Sequence, residues 1–92
     1  MLFSKEHLNG LYDWPPERKE RSVYDGDATR RLFNRYNGNQ VLFIINLIMD
    51  SCGLRSVDQG ERIERLIINQ LPISPSSELT VYNWLRREVV SD

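Results

Sequence analysis

The chain has 92 residues, with twelve Lys and Arg against thirteen Asp and Glu, a formal net charge of −1. That length makes one small domain with a limited core, and the balanced charge excludes a strong general attraction to nucleic acid or anionic membrane. One cysteine, Cys52, excludes an intramolecular disulfide framework.

Residues 1–24 read as an irregular or flexible N-terminal arm, and residues 25–92 as a single helical domain. Trp14-Pro15-Pro16 interrupts any regular element, because proline lacks a donor and restricts its predecessor. Glu17 to Arg21 is a mixed-charge run. Phe3, Leu8, Leu11, Tyr12 and Trp14 are the apolar side chains able to pin the arm down. The first seven residues lack the order of a secretory signal, so the expected location is cytoplasmic.

A first helix is expected over Asp27–Asn37, capped by Asp25 or Asp27 and stopped at Asn37-Gly38. Ala28, Leu32, Phe33 and Tyr36 would form its inner face. Arg30, Arg31 and Arg35 would form a basic outer face able to meet phosphate or a partner's carboxylates.

The second helix is expected over Asn39–Cys52, with Gly53 just beyond it. Eight of the nine residues from Val41 to Met49 are apolar. At 100° per residue the polar side chains Asn39, Asn46 and Asp50 share one stripe, with Phe43 inside it. A helix with so little polar surface is surrounded by neighbours. The run is too short to span a bilayer, which needs about 20 residues.

The third helix follows Ser56, where Ser56-Val57-Asp58-Gln59 has the form of a capping box. Ile63, Leu66, Ile67 and Leu71 make its inner face, Glu61 and Arg65 are spaced to pair outside, and Leu71-Pro72 ends it. The fourth helix is expected from Ser74-Pro75, a cap followed by proline. Val81, Tyr82, Leu85 and Val89 form one face, and Thr80, Asn83, Trp84 and Arg87 another. The expected fold is therefore all-α: about four short helices around a central apolar one, preceded by the arm.

Little here points to catalysis. His7, the single histidine, lies in the arm with nothing to orient it. Cys52 sits at a helix C-terminus, where the dipole disfavours a thiolate. One Cys and one His do not make a zinc spacing, and the five glycines form no phosphate loop. Asp25-Gly26-Asp27 lacks the further carboxylates of a calcium loop. No catalytic residue, cofactor or metal is expected.

The remaining reading is a non-enzymatic regulatory or adaptor protein acting through protein–protein contact, with a protein partner or a second copy in a homodimer. Arg30, Arg31, Arg35, Phe43, Trp14, Trp84 and Arg87 are its candidate contact residues, since Trp and Arg dominate binding hot spots.

Residues 80–87 read Thr-Val-Tyr-Asn-Trp-Leu-Arg-Arg. This stretch resembles the recognition helix of helix-turn-helix DNA-binding proteins, with residues 61–87 supplying the motif. The resemblance implies a transcriptional regulator in which Thr80, Asn83, Trp84 and Arg87 face the major groove. It is the alternative reading.

Overall fold

A computed structural model describes residues 3–14, 27–72 and 76–90. The described residues hold three α-helices and one 3-10 turn, Lys5–His7. Helix α1 spans Gly38–Cys52, α2 spans Val57–Asn69 and α3 spans Glu78–Val90. The all-α expectation holds, with three helices in place of about four. The charged run at 17–21 and the expected cap at Ser74-Pro75 lie outside the described residues.

Helix α1 packs against both α2 and α3. Its side chains Val41, Ile44, Ile45, Ile48 and Met49 are buried, as the apolar run requires. Asn37 begins the helix, its side chain accepting from the Asn39 and Gln40 N–H groups. Gly53 ends it in the left-handed region, at φ 68°, where a side chain would be strained. Helix α2 begins at the expected capping box on Ser56 and Gln59. It turns Ile63, Leu66 and Ile67 inward, with Leu71 just beyond its end. Val81 and Leu85 of α3 close the core.

The expected helix over Asp27–Asn37 does not form. Leu32 and Tyr36, assigned to its inner face, are 67% and 65% exposed. The segment runs instead beside the start of α3. The Phe33 N–H donates to the Ser76 carbonyl, while the Arg31 and Thr29 carbonyls accept from the Glu78 and Leu79 N–H groups. A helix N-terminus has four N–H groups without an intrahelical partner. Two of those on α3 find theirs here, and the Ser77 hydroxyl takes a third from Thr80. The carbonyls of residues 29 and 31, which a helix over 27–37 would use internally, are taken by α3 instead. Asn37 is accordingly the start of α1 rather than the stop of an earlier helix.

Residues 3–14 lie against the helices. Phe3 has no exposed surface and belongs to the core. A Cβ on Gly60 would collide with its ring, so the bare backbone of α2 at that turn forms the floor of the Phe3 pocket. Asp13 and Trp14 bring the segment to the start of α1, where the Asp13 N–H donates to the Tyr36 carbonyl and its own carbonyl accepts from Gly38. Leu11, one of the expected pins, points outward at 97% exposure.

Candidate functional site

Two buried glutamates hold the outlying segments to the helices, and both were passed over in the sequence. Glu64 follows Ile63 on α2, four residues after Gly60 and three before Ile67. That spacing puts it on the inner face, and it is 1% exposed. Its carboxylate accepts the Asn9 N–H at 2.9 and 3.0 Å, the Gly10 N–H at 3.0 Å and the Tyr12 hydroxyl at 2.6 Å. A buried carboxylate requires such donors, because burial without them costs several kcal/mol. Beside it, Glu61, expected to pair with Arg65, accepts from the Asn9 side-chain amide.

Tyr12 responds to this setting. Burial of the ring, then the hydrogen bond to Glu64, then the carboxylate's charge raise its phenol well above the ordinary value. All three favour the neutral hydroxyl that donates to Glu64.

Glu78 opens α3 and has no exposed surface. It accepts the Thr29 N–H, the Arg31 Nε and the Gln40 Nε2, each at 2.9 Å. Gln40 is itself buried, with its amide oxygen taking the Asn34 N–H and its nitrogen also reaching the Leu32 carbonyl. The network ties the 27–36 segment to the helix it caps.

These contacts decide the roles of the expected arginines. Arg31 pairs with Glu78 and lies 5.8 Å from the Phe43 ring, and Phe43 is only 8% exposed. Arg35 donates to the carbonyls of Ile67, Leu71 and Pro72, neutralising the end of α2. The basic helical face of Arg30, Arg31 and Arg35 is therefore not formed. Arg30 is exposed, but the other two guanidinium groups are committed within the chain.

Trp14 and Trp84 are both half-buried. Trp14 lies over Gly38, has the Lys5 ammonium 4.4 Å above its ring, and meets Tyr12 edge-on. Trp84 packs against the core. Thr80, Asn83 and Arg87 are exposed on the outer face of α3. His7 holds the start of the arm, its Nδ1 accepting the Ser4 N–H at 3.0 Å.

One open apolar groove, about 270 Å³, lies between the arm, the 35–36 turn and the outer side of α2. Gly10, Leu11, Tyr12, Arg35, Tyr36, Ile67 and Ile68 line it. Leu11, Tyr36 and Ile68 are 97%, 65% and 47% exposed, so three large apolar side chains meet water around this recess. Of the expected contact residues only Arg35 borders it. Leu11, Tyr36 and Ile68 come from three separate segments, so no local pattern announces them together.

No group of three or more His, Cys, Asp or Glu among the described residues is placed to hold a metal ion, and no described helix is long and apolar enough to cross a membrane. No protein-family model matches the chain, nor does any curated protein or solved structure at a significant level.

Proposed function

We propose that this is a small non-enzymatic regulatory or adaptor protein that works by protein–protein contact. The carrying observation is the groove edged by Leu11, Tyr36 and Ile68. Three large apolar side chains left in water around one recess are characteristic of a contact surface. Tyr36 adds a hydroxyl at the rim, as binding anchors often do. A cytoplasmic partner, or a second copy in a homodimer, would cover them.

The test compares wild type with a Leu11→Glu/Ile68→Glu double variant, both immobilised and exposed to native lysate, with light scattering run in parallel. Both substituted side chains are exposed, so folding should survive. Proteins retained by wild type, or a wild-type dimer, should be lost from the variant. Identical retention and identical mass for the two chains would defeat the proposal.

The DNA-binding reading has one observation in its favour. Thr80, Asn83 and Arg87 share the exposed side of α3 with Arg86, and Asn83, Arg86 and Arg87 line a shallow recess there. Eight residues separate α2 from α3, more than the short turn of a helix-turn-helix. A mobility shift at low salt that fades steeply as salt rises would support this reading; no shift at low salt would end it.

A further inference from the structure

The arm meets the helices as a bound peptide meets a receptor. Its anchor is Phe3, fully buried over Gly60. Asn46 of α1 reads the anchor's main chain in both directions: its Oδ1 accepts the Phe3 N–H at 3.0 Å and its Nδ2 donates to the Phe3 carbonyl at 2.8 Å. Glu64 of α2 then takes the next two recognition points, the consecutive N–H groups of Asn9 and Gly10, and the Tyr12 hydroxyl. Two helix side chains thus hold three main-chain N–H groups and one carbonyl of a segment with no helix of its own beyond a single 3-10 turn. The cavity that Phe3 fills exists because Gly60 has no side chain.

We propose that the α1–α2 face is a peptide-acceptor site, occupied in cis by residues 3–14, and that it accepts the same segment from a second copy of the chain in trans. Every recognition contact named above joins residues 3–12 to residues 46–64, and twelve residues, 15–26, separate Trp14 from Asp27 in the sequence. A segment joined to its acceptor through a short stretch of chain competes with a free one as a ligand at an effective concentration of about millimolar. Exchange between copies is therefore expected as the chain concentration approaches that value. The ligand is defined by its chemistry: a buried aromatic, two consecutive main-chain donors six and seven residues later, and a phenol two residues beyond those. Leu11 belongs to the same segment, so the groove beside it is formed only when the acceptor face is occupied, in cis or in trans.

The test uses the full chain and a fluorescent synthetic peptide of residues 1–14. Phe3→Ala weakens the cis occupant and leaves the acceptor face intact. Its anisotropy titration should show binding on the order of 100-fold or more tighter than to wild type, the scale set by losing a buried phenylalanine. Adding Glu64→Gln to the Phe3→Ala chain should abolish that gain, and a scrambled peptide should not bind. If Phe3→Ala unfolds the chain, recovery of helical circular dichroism on adding peptide supports the site; Phe3→Leu provides a milder second variant for the same titration. Absence of binding and of recovery with both variants overturns the proposal. Peptide binding by chains that nevertheless remain monomeric by native mass spectrometry up to about 1 mM would overturn exchange between copies.

Discussion

Replacing Glu64 by Gln removes one charge and one acceptor oxygen from the centre of the arm contact, with almost no change in volume. Three donors converge on the carboxylate: the Asn9 and Gly10 N–H groups and the Tyr12 hydroxyl. Hydrogen bonds to a charged group contribute about 1.5–3 kcal/mol each, so together they amount to about 4.5–9 kcal/mol. Burying the charge opposes this with a cost of several kcal/mol, and the amide escapes that cost. The amide also retains one oxygen, enough for one or two of the donors, but turns an NH2 group toward the rest. A net loss of about 2–3 kcal/mol follows, which for a domain of this size lowers Tm by roughly 8–24 °C. Thermal and urea unfolding followed by circular dichroism measure the loss. Amide exchange at Asn9 and Gly10 locates it, since both N–H groups should exchange faster while those of the α1 core keep their order of protection. A Tm within about 2 °C of wild type, with Asn9 and Gly10 still protected, would show that the carboxylate does not hold the arm.

Gly60→Ala should destabilise the chain despite gaining about 1 kcal/mol of helix propensity. The new Cβ collides with Phe3, and overpacking of that kind costs about 1–3 kcal/mol; a variant more stable than wild type in urea would contradict the Phe3 pocket. Arg31→Met leaves the fully buried Glu78 with only the Thr29 N–H and the Gln40 amide. Breaking a buried pair costs about 3–5 kcal/mol, and the 30% exposure of the Arg31 side chain places this one at or below the lower end; a loss under about 0.5 kcal/mol by chemical denaturation would reduce the pair to an ordinary surface bridge. Tyr12 has a pKa raised in the folded state, so its contribution is complete below the unfolded value near 10 and is lost as pH rises toward the folded value. The stability difference between wild type and Tyr12→Phe should therefore shrink above pH 10 by up to about 1.4 kcal/mol per pH unit. A difference that stays flat from pH 8 to 11 would refute the raised phenol.

The candidate site was only partly legible in the sequence. Arg35 was singled out, but as a contact residue rather than as the group that closes the end of α2. Glu64 carried a readable signal: a charged residue at helical spacing from Gly60 and Ile67, on a face otherwise made of core residues. Its partners carried none, because Asn9, Gly10 and Tyr12 lie 52 to 55 positions away. The groove has the same origin, since Leu11, Tyr36 and Ile68 meet only after the arm is seated.

What the sequence determined by itself was local. The apolar run made α1 the centre of the fold, and the Ser56–Gln59 box fixed the start of α2. The spacing of Val81 and Leu85 set the inward side of α3. Each of these rests on helical periodicity or on a cap within four residues, and neither depends on distant chain. The tertiary structure decided the fate of residues 27–37 and of the arm. A helix over 27–37 satisfied the local pattern, yet the carbonyls of Thr29 and Arg31 were taken by the unpaired N–H groups at the start of α3, 50 and 47 residues away. Likewise Phe3 became core because Gly60 left room for it and Asn46 held its backbone. Open hydrogen-bonding groups at helix ends and a gap on a helix face are filled by whichever segment reaches them, and that choice is made in three dimensions.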